Sequence, residues 1–312
     1  MSLKNASGES LKKLVAVVGP TGVGKTETGL FLAERFSGEI VNFDSVQVYK
    51  YLDIGTAKPS AFERSRVPHH LIDFLEPDEP FNAARFVELA DQVIDEITAR
   101  GHLPILVGGT GLYLKALLHG LFPVEVPEEL RARLKERLEQ EGLSLLYEEL
   151  KKVDPEAAAK IHPHDGVRIL RALEVYYATG RPFSALAREH AFASRRYLVL
   201  KVGLTLPREE LYRRLEARVD RMLSEGLLEE VKELLARGYS PTLKPLQSIG
   251  YRHMIAYLQG KLSFEEAVRL MKRDTRHYAK RQLTWFRADP EIVWFQPNEK
   301  EQIAHKVQEF LV

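Results

Sequence analysis

The sequence predicts an α/β protein: a P-loop-type, doubly wound parallel sheet core with an all-helical insertion domain. Three observations predict it. Short apolar runs alternate with amphipathic helical stretches from residue 14 onward, and two of these runs lead straight into glycine-rich turns. Between residues 123 and 196 strand formers thin out, and Leu, Ala, Glu, Lys and Arg at helical spacing take over. Such alternation marks βαβ units, whose right-handed crossovers lay helices on both faces of parallel strands.

The first run, Leu14-Val15-Ala16-Val17-Val18, meets Gly19-Pro20-Thr21-Gly22-Val23-Gly24-Lys25-Thr26. This G-x-x-x-x-G-K-T spacing builds a phosphate cradle of the kind found in nucleotide-binding and ATP-binding proteins. Glycines let the backbone turn its N–H groups inward on an anion, Lys25 brings a point charge to the outer phosphates, and the Thr26 hydroxyl can ligate Mg²⁺. A ligand with a diphosphate or triphosphate is expected there.

A helix with Leu30, Phe31, Ala33 and Phe36 on one side follows and stops at Gly38. The next strand, Glu39 to Phe43, ends in Asp44-Ser45, placing a carboxylate at the edge where open parallel sheets bind ligands. Asp44 is therefore a candidate general base or magnesium partner, with helix capping as its duller role. His69 to Phe74 reads as a further strand, and Phe81 to Ala99 as an amphipathic helix carrying Phe86, Leu89, Val93 and Ile97. Pro104 to Val107 is a strand running into Gly108-Gly109-Thr110-Gly111, a second glycine turn at the ligand edge, and a helix from Leu112 to Leu118 closes the unit.

From Pro123 the texture changes. Residues Glu128 to Arg188 are helical in pattern, punctuated by Pro123, Pro127, Pro155, Pro163 and Pro182. A strand returns at Tyr197 to Leu204, with helices over Pro207 to Ala236 and Ser263 to Phe286. The expected division is a discontinuous catalytic core, 1–122 with 197–312, around an insertion at 123–196.

At 312 residues, 45% hydrophobic and 29% charged, the composition is that of an enzyme-sized soluble protein. No cysteine is present, which excludes disulfides, thiolate metal sites and a cysteine nucleophile and fits a reducing compartment. Met1 to Lys13 is polar without an apolar core, and no stretch approaches the roughly 20 apolar residues that span a bilayer. A cytoplasmic monomer without a membrane partner is expected. His69-His70 and His162 with His164 match no common metal spacing.

The net charge of +1 conceals a local excess. Arg269, Lys272, Arg273, Arg276, Lys280, Arg281 and Arg287 face the single acid Asp274 over that stretch, and Arg269, Arg273, Arg276 and Lys280 share one helical face. Ala267, Met271, Tyr278 and Trp285 would form the opposite, apolar face, and Ser263 with Glu266 resembles a capping box. Such a helix suits phosphate-backbone contacts or a solvated surface equally well.

An ordinary ATPase reading meets a difficulty. Ile105-Leu106-Val107 leads to Gly108 rather than to the aspartate that assists magnesium in nucleotide-hydrolysing proteins, and no residue set for a nucleotide's purine is visible. The cradle can therefore serve a diphosphate outside ATP.

Several segments together resemble one family, the tRNA dimethylallyltransferases or tRNA isopentenyltransferases. They are Gly19 to Thr26, Asp44-Ser45-Val46-Gln47-Val48-Tyr49, Asp53-Ile54-Gly55-Thr56-Ala57-Lys58-Pro59, Gly108 to Tyr113, Asp165 to Glu174, Gln247-Ser248-Ile249-Gly250-Tyr251-Arg252 and Lys280-Arg281-Gln282-Leu283-Thr284-Trp285-Phe286-Arg287. The resemblance runs almost end to end. It implies transfer of a dimethylallyl group from dimethylallyl diphosphate to the exocyclic amine of the adenine 3′ of the anticodon, with diphosphate as the leaving group.

By that resemblance Gly19, Pro20, Thr21, Gly22, Val23, Gly24, Lys25 and Thr26 hold the diphosphate, Thr26 holds Mg²⁺, and Arg218 lies on the leaving group. Asp44 takes the amine proton and Thr110 sits beside the reacting centre. The tRNA contacts implied are Asp44, Ser45, Val46 and Gln47; Thr110 and Arg131; Val167, Arg168, Ile169, Leu170 and Arg171; Gln247 to Arg252; and Lys280 to Arg287. A stacked adenine must be flipped out to reach a buried cradle, at a few kcal/mol, and the helical insertion would grip the anticodon stem. Eukaryotic members carry a C-terminal zinc finger, which a cysteine-free sequence lacks, so the resemblance is to the bacterial type. Two other readings are an isopentenyltransferase acting on free adenine nucleotides and a P-loop small-molecule kinase.

Overall fold

The computed structural model describes residues 11–121, 124–190 and 195–312. The expected junction at 122/123, most of the polar N-terminal segment and Pro123 lie outside them. The chain divides into two compact units, Met1–Leu118 with Arg195–Val312, and His119–Ser194.

In the first unit β1 (Lys13–Val18) leads through the cradle into α1 (Lys25–Arg35), followed by β2 (Gly38–Asn42), α2 (Ala61–Arg66), β3 (His69–His70), α3 (Ala83–Ala99), β4 (Leu103–Val107) and α4 (Gly111–His119). The second unit is all-helical: α5 (Glu128–Glu141), α6 (Leu143–Val153), α7 (Pro155–Lys160), α8 (Gly166–Thr179) and α9 (Phe183–His190). Its core is Leu134, Leu146, Leu150, Ile169 and Leu173. Asp154 caps α7 through Ala157 N–H and, itself buried, accepts from Ser184. The first unit resumes with β5 (Leu198–Leu204), α10 (Arg208–Ser224), α11 (Leu227–Ala236), α12 (Tyr251–Leu258), α13 (Phe264–Arg287), β6 (Ile292–Phe295) and α14 (Lys300–Leu311).

The six strands are all parallel, in the order β3-β2-β4-β1-β5-β6. Their runs are apolar on both faces because helices cover both: β1, β2 and β4 are buried almost throughout. One layer packs Leu14, Ala16, Val18, Phe43 and Leu106 against Phe86, Ile94 and Tyr251; the other packs Val15, Val17, Ile105 and Val202 against Leu30, Leu32, Leu215 and Ile303. Strand order reverses at β1, which takes β4 on one side and β5 on the other. Since every strand points the same way, the segments after β1, β2 and β4 emerge at one edge, and those segments are the cradle, Asp44 and Gly108 to Thr110.

Three sequence expectations change. The strand from His69 shrinks to two residues beside Ile40 and Val41. The single helix expected over Pro207 to Ala236 is two, broken at Gly226, whose φ of 104° belongs to the left-handed region. Ser263 caps α13 through Glu266 N–H, but the Glu266 carboxylate pairs with Arg269 instead of closing a capping box. Elements α2, α12, β6 and α14 are additions to the sequence reading. No helix among the described residues is long and apolar enough to cross a membrane.

Candidate functional site

The cradle forms because its glycines adopt conformations other residues resist. Gly24 begins α1 at φ 107°, and at Gly19, φ 143°, a Cβ would run into the Leu204 carbonyl at the end of β5. The loop lines a cavity of about 690 Å³ together with Asp44, Gly109, Arg218 and Tyr278. A second cavity of about 310 Å³ adjoins it, lined by Ser45, Val46, Gln247, Ser248, Arg252 and Arg281 among others. Thr21, Asp44, Thr56, Arg218, Met222 and Tyr278 line both.

Two cations converge on the larger cavity, and one of them, Arg218, also lines the smaller. Lys25 Nζ donates to the Pro20 carbonyl at 2.8 Å, and Arg218, carried in by α10, donates to Thr21 Oγ1 at 3.1 Å and to the Thr56 carbonyl at 3.5 Å. Loss of water around Lys25, and then the neighbouring guanidinium, pull its pKa down to about 7, while Asp44 works in the opposite direction. Burial likewise lowers the Arg218 pKa, opposed by Asp44. A pocket with two desolvated cations and one nearby carboxylate is built for a multiply charged anion.

Asp44 is held by one oxygen. Its Oδ1 accepts from Val46 N–H at 2.8 Å and Gln47 N–H at 3.2 Å, and Oδ2 makes no hydrogen bond to the described residues. Ser45 N–H donates to Thr110 Oγ1 at 3.2 Å, joining the turn after β2 to the turn after β4. The carboxylate is thus oriented on one side and able to accept a proton on the other.

The Asp53 to Lys58 segment lines the larger cavity and reaches the smaller through Gly55 and Thr56, and its own motif residues hold it in place. Gln47 Nε2 donates to the carbonyls of Thr56 (3.0 Å) and Ala57 (3.1 Å). The Lys58 side chain is buried in the wall of the larger cavity and bonds Asp53, Asp73 and the Tyr49 carbonyl, so it staples the segment. Glu230, which no sequence motif marks, accepts from Asp53, Ile54 and Gly55 N–H and from the Tyr251 hydroxyl. The Tyr251 ring lies where a Cβ on Gly55 would be, which explains a glycine there.

On α13 the expected stripes are redrawn. The buried line is Ala267, Met271, Ala279, Gln282 and Phe286; Tyr278 lies in the wall of both cavities and Trp285 is 44% exposed, not in the core. The Trp285 indole occupies the space a Cβ on Gly111 would need. Most of the basic face is neutralised: Arg269 pairs with Glu266, Arg273 with Asp274, Arg276 with Glu216 and Lys272 with Asp220. Lys280, Arg281 and Arg287 form no ion pair among the described residues, and Arg281 lies over the Tyr278 ring at 5.8 Å. The positive field of the helix is therefore concentrated at its C-terminal end.

The site residues expected from sequence separate accordingly. Of the cradle, Gly19, Pro20 and Val23 are buried, Val23 within the core, whereas Thr21, Gly22, Gly24, Lys25 and Thr26 join Asp44 to Gln47, Arg218, Gln247 to Ile249, Arg252, Arg281 and Gln282 in lining one or both cavities. Thr110 stands next to them through Ser45. Tyr251, Phe286 and Ile169, expected to meet tRNA, have buried side chains that pack into their cores and present no side-chain surface to a partner. Gln282 is buried as well, with its amide engaged inside the protein. Arg131, Val167, Arg168, Leu170 and Arg171 belong to the helical unit, where Arg131, Val167 and Arg168 are exposed and Arg171 pairs with Glu174. Tyr278 was within reach of sequence reasoning, lying one helical turn before Gln282 on the helix that carries the basic motif.

Cradle, paired cations and oriented carboxylate at the switch point of a parallel sheet define a P-loop-type α/β enzyme. The IPP transferase family model matches residues 47–289, and the isopentenyl transferase model matches residues 12–73. The chain is 52% identical over 297 residues to tRNA dimethylallyltransferase 1 of Pelobacter propionicus, covering 94% of this chain and 96% of that protein. It is 53% identical over 306 residues to the tRNA dimethylallyltransferase of Geobacter metallireducens, covering 97% and 98%. The crystal structure of full-length tRNA isopentenylpyrophosphate transferase from Bacillus halodurans matches with a TM-score of 0.72 at 43% identity, covering 96% and 97% of the two chains. A eukaryotic dimethylallyltransferase captured acting on tRNA matches with a TM-score of 0.77 at 33% identity, covering 93% of this chain and 75% of that one. The chain belongs to the IPP transferase family, among the tRNA dimethylallyltransferases.

Proposed function

We propose that this protein transfers the dimethylallyl group of dimethylallyl diphosphate to the exocyclic amine of the adenine 3′ of the anticodon in tRNA. One observation carries the reading: a single cavity wall presents an anion cradle with Lys25 and Arg218 on one side and the oriented Asp44 on the other. The prenyl C–O bond breaks and its electron pair leaves on diphosphate, where the cradle amides, Lys25 and Arg218 stabilise the growing charge. The amine nitrogen bonds to the prenyl carbon, and its proton passes to Asp44 Oδ2. Thr110 fixes the turn that carries Asp44.

Magnesium fits this site through Thr26. Its hydroxyl lines the cavity at the start of α1, and no group of three or more His, Asp or Glu among the described residues could cage a cation. The ion would take Thr26, diphosphate oxygens and water as ligands, the usual pattern for Mg²⁺, and would neutralise charge on the leaving group. The smaller cavity, rimmed by Gln247, Ser248, Arg252 and Arg281, would receive the flipped adenine. Both cavities are lined by residues of one unit of one chain.

Incubation with labelled dimethylallyl diphosphate, Mg²⁺ and unmodified tRNA, followed by nucleoside analysis, tests the reading. Label on the exocyclic amine of that adenosine is expected, with AMP a poor acceptor. Phosphate transfer from ATP without prenyl transfer would overturn it.

Two further outcomes are expected. Donor binding selects the charged form of Lys25, whose pKa in the free protein is lowered to about 7, so the Lys25 contribution to donor affinity is fully present below pH 7 and is lost as pH rises above it. The decline is up to about tenfold per pH unit, read as kcat/KM for the donor; Lys25→Arg removes that limb, and a wild-type profile flat from about pH 6 to 9 would contradict the assignment. Alanine at Lys280, Arg281 or Arg287 weakens tRNA binding and makes log K against log salt shallower by about one unit for each phosphate that is no longer neutralised. Alanine at Arg269 or Arg273, already paired with acids, leaves the slope nearly unchanged.

A further inference from the structure

Gln282 is 6% exposed, and both ends of its amide are used. Its Oε1 accepts the Thr21 N–H of the cradle at 2.8 Å, and its Nε2 donates to the Gly109 carbonyl at 3.0 Å. One side chain therefore joins two turns that no main-chain hydrogen bond of its own helix could reach. The turn on the cradle side carries Thr21, whose hydroxyl receives Arg218. The turn on the other side continues into Thr110, whose hydroxyl receives Ser45 N–H next to Asp44. The fit is close: a Cβ on Gly109 would collide with Gln282 Nε2. A buried amide between Ala279 and Phe286, on the apolar line of an amphipathic helix, is costly unless both of its groups are bonded.

We propose that Gln282 is a positioning residue for the transfer step, setting the distance between the groups that hold the departing diphosphate and the groups that hold the acceptor amine. The proposal rests on the prenyl-transfer reading. It also gives α13 two tasks: its outer side presents Lys280, Arg281 and Arg287, while its inner side braces the cradle. Near-attack geometry is sensitive to displacements of about 1 Å, which can cost roughly 10²-fold in rate with every substrate interaction still in place.

The test is Gln282→Met, which keeps volume and loses both hydrogen bonds, compared with the wild type at equal folded concentration. Kinetics with tRNA and dimethylallyl diphosphate are measured, alongside calorimetric binding of magnesium pyrophosphate and of tRNA. A fall in kcat of about 10- to 100-fold and weaker pyrophosphate binding are expected, with the tRNA dissociation constant within about twofold of wild type. Gly109→Ala, which pushes the same amide aside, should reproduce the kcat defect, and combined with Gln282→Met it should add less than the sum of the two single losses. Unchanged kcat and pyrophosphate binding in folded Gln282→Met, or a loss confined to tRNA affinity, would overturn the proposal. If the wild type bound pyrophosphate more tightly than the variant yet transferred no prenyl group, the bracing role would stand and the prenyl-transfer reading would fall.

Discussion

Asp44→Asn lowers turnover by about 10²- to 10⁴-fold while tRNA affinity stays close to wild type. The asparagine oxygen still accepts from Val46 and Gln47 N–H, so the turn after β2 survives the substitution. What disappears is the capacity of the second oxygen to take a proton from the amine as it forms its new bond. Single-turnover transfer with saturating tRNA measures that step directly, and a wild-type rate would exclude Asp44 as the proton acceptor.

Arg218→Gln costs about 10²- to 10³-fold in kcat, the range seen when one preorganised donor is removed from a developing anion. Arg218 lies between the cavities with a hydrogen bond to Thr21 and a longer one to the Thr56 carbonyl, so its guanidinium is fixed before any ligand arrives. Removing it also relieves the repulsion on Lys25, whose pKa rises towards its ordinary value. The pH at which donor binding weakens should therefore shift upward in this variant. A variant with normal kcat, or with the loss confined to tRNA affinity, would show that Arg218 acts elsewhere.

The parts of the site that the sequence exposes are those where chemistry is local. Gly19 to Thr26 must supply cradle amides, lysine and hydroxyl from consecutive residues, so spacing alone reveals them, and Asp44 is visible because it ends an apolar run. Residues recruited across the chain are different. Glu230 reaches Asp53, Ile54 and Gly55 from α11, and Gln282 reaches Thr21 over a separation of 261 residues; nothing in their neighbours announces either partner. Gln282 still leaves a trace, a polar residue on an apolar helical line. Trp285 departs from expectation because its spacing follows the apolar stripe, yet beside Gly111 the helix packs with a different side inward. The break at Gly226 is hidden because one glycine within a helical pattern is tolerable at about 1 kcal/mol. The edge strand β6 has only four residues and takes its identity from β5.

The place of β1 in the sheet has a consequence for how the molecule is made. Its neighbour β4 follows within the first unit, but β5, the neighbour on its other flank, is translated only after His119–Ser194 has been added to the chain. Until then the nascent chain carries an apolar strand paired on one side only, the kind of edge on which growing polypeptides stick to one another. A chain truncated before β5 is therefore expected to aggregate more readily than the full-length chain, which light scattering at equal concentration would show.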